Sequence, residues 1–332
     1  MKRPLLSIVV PAHNEEDSIV PLRDAVFQAL SATSVEIEII YVDDGSRDRT
    51  RERLILMAQQ DPRVRMISFT RNFGHQAALM AGLETARGDA IVTMDCDLQH
   101  PPTLLPQMVE AWQKGYKVVQ TVREETRDAG RGKRFTSRAF YRLMQALSDT
   151  PITPGAADFQ LLDRAALRDL LSLRDSRPFL RGMVSWIGYS RIAVPYVANA
   201  RQHGVSSYTW RTMFLLAVDA ITAFSTRPLR LAFYAALCSS LAMLLYLAFI
   251  VVKFMENEVV QGWTSLAVVI LLLGTIQLIT LGIMGEYIGR IYEQVRNRPR
   301  YLVEYRSPAP ESAESDPGNR LAAAPSEVPS AL

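Results

Sequence analysis

Along the first 122 residues, short apolar runs alternate with stretches whose apolar residues recur at helical spacing. The runs "LLSIVVPA" (5–12), "IEIIYVDD" (37–44), "VRMISFTR" (64–71), "AIVTMDCD" (90–97) and "KVVQTV" (117–122) have the length and β-branched content of strands. Between the first three lie "SIVPLRDAVFQALSA" and "RTRERLILMAQQ", each patterned as an amphipathic helix. This alternation predicts an α/β domain with a mainly parallel sheet, whose ligand crevice lies beyond the carboxyl ends of the strands.

Farther along, the pattern changes in kind. Residues 231–252 and 263–285 contain no charged residue, and each exceeds the roughly 20 residues needed to cross a bilayer. Both are expected to span a membrane, because soluble helices seldom run this long without a charge. Arg227 and Arg230 precede the first stretch and Arg290, Arg296, Arg298 and Arg300 follow the second, whereas the connecting loop sets only Lys253 against Glu256 and Glu258. The positive-inside rule then places the catalytic domain and both termini in the cytoplasm, on a multi-pass protein of the inner (cytoplasmic) membrane. Residues 206–230 are apolar but interrupted by Arg211 and Asp219, as in interfacial amphipathic helices. The expected organisation is a catalytic domain over 1–205, this interfacial segment, the two spans, a juxtamembrane segment over 286–306, and a disordered tail over 307–332 that is poor in large apolar residues.

Composition narrows the chemistry. The 332 residues are 48% hydrophobic with a net charge of +3, enough for a sizeable core and not the composition of a disordered chain. Only two cysteines occur, Cys96 and Cys238, so neither a disulfide framework nor a cysteine zinc site is supported. The opening "MKRPLLSIVVPAHNEE" imitates a signal peptide, yet its apolar stretch is short and is followed by acids; it reads as a first strand. The segment 123–142 carries seven basic and three acidic residues, with Arg127, Arg131, Arg134 and Arg138 at helical spacings. It suits either an anionic leaflet and acceptor phosphate or a solvated helix face.

Asp95 and Asp97, in "MDCDLQHPP" (94–102), follow the fourth apolar run. An Asp-x-Asp pair at a strand end can aim two oxygen ligands at a hard cation such as Mg²⁺ or Mn²⁺, leaving positions open for substrate phosphates. Acids at strand ends also cap turns, so the pair alone is a weak signal. Asp43 and Asp44 end a second run, and Asn14 and Glu15 follow the first, so three polar strand ends define one crevice suited to ribose or base hydroxyls and a metal-bridged diphosphate. No GxGxxG follows the first strand, and "GRGKRF" lacks Walker spacing. Of the histidines, 13, 75, 100 and 203, none has zinc spacing; His75 and His100 are expected to hydrogen-bond neighbouring loops. Trp186 and Tyr189 in "SWIGY" are expected to pack beneath the site.

In order, "VVPAHNEE", "VDDGSRDRT", "RNFGHQAALMAGLETARGD", "MDCDLQHPP", "ADFQLLDR" and "RQHGVSSY" resemble the motifs of family 2 glycosyltransferases, specifically the polyprenyl-phosphate glycosyltransferases. The resemblance runs over about residues 5–300 and includes the two spans. It implies a GT-A (Rossmann-like) fold and transfer of a sugar from a nucleotide sugar to a polyprenyl phosphate in the bilayer, with Mg²⁺ or Mn²⁺. Carried over by position, Pro11, His13, Glu15, Val42 and Asp44 would line the nucleoside pocket, supported by Asp43. Asp95 and Asp97 would hold the metal and diphosphate, Gln99 would stand as a further metal ligand, and the backbone of Cys96 would touch ligand. Arg123 would stand near the transferring phosphates, Asp158 near sugar and acceptor, and Arg201 and Ser206 at the acceptor phosphate. Two positions depart from the pattern: Ser207 stands where many relatives have lysine, at a phosphate contact, and His13 where many have tyrosine, at the base.

The implied reaction is a direct inverting displacement, since the acceptor phosphate is already anionic and the harder task is stabilising the departing nucleoside diphosphate. Asp158 then has at most a secondary role as base. UDP-glucose and undecaprenyl phosphate are the first-choice substrates; mannosyl, galactosyl, N-acetylhexosaminyl and aminoarabinosyl transfer remain open. A processive polysaccharide synthase would carry Gln-x-x-Arg-Trp before its pore helices, and none is present. A non-catalytic membrane scaffold that binds nucleotide sugars would have no need to retain acids at 44, 95 and 97 together. Gly274, Gly282 and Gly285 permit close helix contact, which leaves room for a homo-oligomer. No nucleic-acid partner is expected.

Overall fold

The computed structural model describes residues 3–123, 155–197, 225–256 and 262–308. Five strands form where the apolar runs predict them: β1 Leu5–Ala12, β2 Glu36–Asp43, β3 Val64–Phe69, β4 Ala90–Thr93 and β5 Val118–Arg123. Among them lie α1 Ile19–Leu30, α2 Thr50–Gln60, α3 His75–Thr85 and α4 Leu105–Gln113. The spacing of buried residues explains the helices: α1 turns Ile19, Leu22, Val26 and Leu30 inward, three or four residues apart.

Three further strands complete the sheet: β6 Ala156–Asp163, β7 Arg191–Tyr196 and β8 Val303–Arg306. The order is β7-β5-β6-β4-β1-β2-β3-β8. β1 pairs in parallel with β2 and β4, β2 with β3, and β5 with β7, while β6 runs antiparallel between β4 and β5. β8 closes the other edge, antiparallel to β3. This mostly parallel sheet between helical layers is the expected GT-A, Rossmann-like architecture. Central strands are apolar on both faces: Ile8 and Val10 of β1 join the α1, α2 and α4 side, whereas Val9 joins the α3 side.

Two short helices, α5 Arg164–Ser172 and α6 Leu180–Trp186, follow β6. Asp163 caps α5 through the Ala165 N–H. Then come α7 Arg227–Met255 and α8 Trp263–Arg296, two helices long and apolar enough to cross a membrane, whose described side chains are mostly unburied within the protein. At 34 residues α8 is ~51 Å long, well beyond the ~30 Å hydrocarbon core.

The C-terminal end of α8 is bound to the sheet domain. Gln294 Oε1 accepts the Ser176 N–H and its Nε2 donates to the Arg174 carbonyl, while Arg177 pairs with Glu293. Asn297 then takes a left-handed conformation, which turns the chain back. Arg300 donates to the Asp175 and Leu173 carbonyls, and Tyr301 donates to Glu84 and stacks on Phe69 with centroids 4.8 Å apart.

The C-terminal organisation therefore departs from the expectation. Residues 286–306 are a helical extension plus a sheet strand, because β3 would otherwise present an unpaired edge. Ser307, assigned above to the tail, is buried; its Oγ accepts the Met66 N–H and its own N–H donates to the Met66 carbonyl. Residues 206–224, most of the basic segment 123–142, and the tail from 309 lie outside the described residues.

Candidate active site

Because β1, β2, β4 and β5 run one way and β6 the other, the carboxyl ends of the first four and the start of β6 share one edge. Thr93 of β4 is in register with Gln160 of β6, so Asp158, two residues earlier, stands beside the turn that carries Asp95 and Asp97. Arg123 ends β5 alongside Tyr196 of β7 on the same edge.

At the ends of β1 and β2, polar groups build a rigid floor. Asp43 is fully buried; Oδ1 accepts the Ser46 N–H and Oδ2 the Ser68 hydroxyl, which ties the end of β2 to β3 and to the following turn. Gly45, at φ +64°, lets that turn approach Arg71 so closely that a Cβ would stand 2.4 Å from its carbonyl carbon. Asp44 accepts the backbone N–H groups of Phe73 and Gly74, so its carboxylate organises the loop before α3. Burial pushes its pKa up, and these two hydrogen bonds only partly oppose that.

His13 Nδ1 lies 2.9 Å from the Asp44 carbonyl oxygen, which can only accept, so the proton sits on Nδ1 and Nε2 accepts from Asn14. Glu15 accepts from Ser18 Oγ, and its own N–H donates to Thr50 Oγ1. Pro11 and Val42 are paired and buried, with Val42 packed into the core on the α3 side. Val42 thus supports the crevice from beneath.

The β4–α4 turn carries the acidic pair. Leu98 adopts φ +59°, and the Gln99 N–H donates to Asp97 Oδ1. The Cys96 side chain turns into the core, where burial holds its thiol well above the usual range, leaving only backbone for a ligand. Asp95 Oδ1 is buried without a hydrogen-bond partner, and His75 Nε2 lies 3.4 Å away. Among the described residues no cluster of three His, Cys, Asp or Glu forms a complete metal cage. The oxygen chemistry of Asp95 and Asp97, with one Asp95 carboxylate oxygen unsatisfied, is the kind a hard cation takes, and Gln99 stands in the same turn with its N–H on Asp97.

His100 is buried, its Nδ1 accepts the Asp95 N–H and its ring stacks on Phe159, as expected of a loop-supporting histidine. Burial holds it below its usual pKa despite the nearby carboxylates. His75 differs from the expectation: at the start of α3 it faces the crevice, between Asp95 and, at 3.8 Å, Asp158. Trp186 also differs, being 62% exposed where packing was expected, because it ends the short α6; Tyr189 packs on the core and donates to Asp169.

Sequence reading missed Arg181. Its Nε and Nη2 donate to Asp158 Oδ1 and Oδ2 at 2.9 and 3.0 Å, while Gln76 Nε2 approaches Oδ2 at 3.4 Å. Burial alone would raise the Asp158 pKa; the Arg181 charge and hydrogen bonds, with His75 and His100, hold it below the usual carboxylate range. Arg201, Ser206 and Ser207 lie outside the described residues.

Comparison with known proteins places this arrangement. Residues 7–171 match the family described as glycosyl transferase family 2. The uncharacterized glycosyltransferase YkcC of Bacillus subtilis is 42% identical over 299 residues, 90% of this chain and 93% of that protein. The bactoprenol glucosyl transferase of Shigella phage SfII is 39% identical over 300 residues, 90% of this chain and 97% of that one. Among solved structures, a mannosyltransferase from Pyrobaculum calidifontis in complex with GDP-Man and Mn²⁺ aligns at 20% identity and a TM-score of 0.46, over 67% of this chain and 64% of that one. On the near full-length relatives, the chain belongs to glycosyl transferase family 2 and is a hexosyltransferase.

Proposed function

We propose that the protein transfers a hexosyl group, glucose from UDP-glucose in the first instance, to the phosphate of a polyprenyl phosphate such as undecaprenyl phosphate. The observation that carries this reading is one chain holding Asp95, Asp97 and Asp158 on a single sheet edge together with two helices long and apolar enough to cross a membrane. The first serves a nucleotide diphosphate, the second a substrate that lives in lipid. A relative named for bactoprenol glucosyl transfer supports the choice of substrates.

In this reading His13, Glu15 and the floor built by Asp43 and Asp44 receive the nucleoside, while Asp95, Asp97 and Gln99 hold Mg²⁺ or Mn²⁺. When bound, the ion neutralises the diphosphate as it departs. An oxygen of the acceptor phosphate attacks the anomeric carbon, the bond to the donor's diphosphate oxygen breaks, and the nucleoside diphosphate leaves with that electron pair. Arg123, exposed at the end of β5, supplies positive charge beside these phosphates. Asp158, held ionised by Arg181, is available as a fixed anion, and the attacking phosphate needs little help from a base. Attack opposite the leaving group inverts the anomeric centre. Arg201 and Ser206 are assigned to the acceptor phosphate.

The two apolar helices are read as inner-membrane spans with both termini and the catalytic domain on the cytoplasmic side, where nucleotide sugars occur. The docking of the α8 overhang on the catalytic domain supports placing them on one side of the bilayer. The test is purified protein in detergent with a short polyprenyl phosphate and a panel of nucleotide sugars, read by the mass of the lipid product. A product bearing one hexose, lost in Asp97→Ala, is expected. The absence of product from every donor would sink the reading, and a product of different mass would reassign the donor.

A further inference from the structure

The bidentate Arg181–Asp158 pair does more than balance a charge. Both carboxylate oxygens are taken by one planar guanidinium, so the group cannot rotate without losing a bond. The Asp158 side chain is 9% exposed against 34% for Arg181, so the pair sits at the wall of the crevice with the cation toward solvent. The site must also admit two anions, a diphosphate and an acceptor phosphate, next to Asp95 and Asp97. An unpaired third carboxylate there would repel both.

The position of Arg181 is itself fixed from two sides. On one side the Leu180 N–H donates to Gln76 Oε1, and Gln76 also reaches Asp158. On the other, residues 173–177 leading into α6 are held by Glu293, Gln294 and Arg300 beyond the α8 apolar stretch. A guanidinium clamped this way is pre-organised and loses little entropy on pairing.

Resting on the glycosyl-transfer reading, we propose that Arg181 is a positioning residue for the reaction, locking Asp158 in one orientation as half of a neutral pair at the crevice wall. Arg181 acts through Asp158, so its effects should disappear when Asp158 is gone.

The test is a double-mutant cycle in the full-length protein in detergent, using Arg181→Gln, Arg181→Lys, Asp158→Asn and the double variant Asp158→Asn/Arg181→Gln. Arg181→Gln is expected to lower kcat at least about tenfold and to raise donor KM, because the carboxylate left without its guanidinium repels the diphosphate. Arg181→Lys should recover part of kcat, and the double variant should turn over no more slowly than Asp158→Asn alone. Thermal unfolding supplies an arm independent of turnover: Arg181→Gln should lower Tm when Asp158 is present and lower it less in the Asp158→Asn background. Wild-type kcat in Arg181→Gln, losses that multiply in the double variant, or equal Tm drops in both backgrounds would overturn the inference. If the wild type forms no lipid product, the transfer reading fails and the unfolding cycle still decides whether Arg181 and Asp158 act as a unit.

Discussion

Asp44 Oδ2 accepts the backbone N–H of Gly74 at 2.9 Å, joining the end of β2 to the residue that opens α3. With the neighbouring bond from Phe73, one carboxylate sets the path of the loop that delivers His75 to the crevice. Asp44→Ala is expected to cost about 1–3 kcal/mol, the range for buried hydrogen bonds to a charged acceptor. Thermal unfolding and UDP titration calorimetry should show loss of both stability and nucleotide affinity; a change in neither would detach this carboxylate from the site.

Asp97 lies in a turn, and its replacement leaves the sheet untouched. Asp97→Ala is expected to lower metal-dependent turnover by about 100-fold, in line with removing a principal electrostatic stabiliser, while Tm in the absence of nucleotide stays within error. EDTA should reproduce the loss in the wild type. Electron paramagnetic resonance of Mn²⁺ with UDP checks the cause, since bound ion should fall in the variant.

Asp163 gives a pH prediction away from the crevice. Burial raises its pKa, but hydrogen bonds from Trp112 Nε1, the Ala165 N–H and Lys117, with the Lys117 charge, hold it below the usual value. A depressed carboxylate stabilises the fold above its unfolded pKa, about 3.9, and loses that contribution as pH falls through the folded value. Asp163→Asn should therefore cost about 1–2 kcal/mol at pH 7, and the gap to wild type should close in unfolding curves taken below about pH 4. A gap that widens with acid would contradict the assignment.

At the opposite end of the sheet Glu38 and Arg65 form a buried pair at 3.1 Å, and Glu38 also accepts from Ser7 and the Arg87 N–H. Removing one partner leaves a buried charge, so Glu38→Ala or Arg65→Ala should each cost about 3–5 kcal/mol. Catalytic constants measured below the lowered Tm should be unchanged, as the pair lies at the far ends of the strands. A kcat effect at full stability would count against that separation.

The parts of the fold visible in the sequence are those with a local signal. β1 to β5 announce themselves by apolar runs, and the two long apolar helices by length and absence of charge. β6 is apolar too, yet nothing in "ADFQLLD" says that it inserts antiparallel between β4 and β5, because strand order depends on partners distant in sequence. Likewise "FLRGMV" has no feature announcing that Arg181 reaches 23 residues back to Asp158. The acidic strand ends were legible because the crevice of such a sheet has a fixed place, whereas the exposure of Trp186 depends on where a helix stops. From sequence alone "LVEYR" reads only as part of a juxtamembrane segment, because its strand exists through the open edge of β3, a partner distant in sequence.

That last strand has a consequence for anyone cutting the protein down. A fragment ending before α7 would look like a natural soluble enzyme, but it would uncover β3 and expose Phe69, which now lies beneath Tyr301. An open strand edge beside a bare aromatic ring recruits other chains. The chain passes through its own apolar helices and comes back to seal the sheet it began, so the sheet is finished only after both long helices have been made.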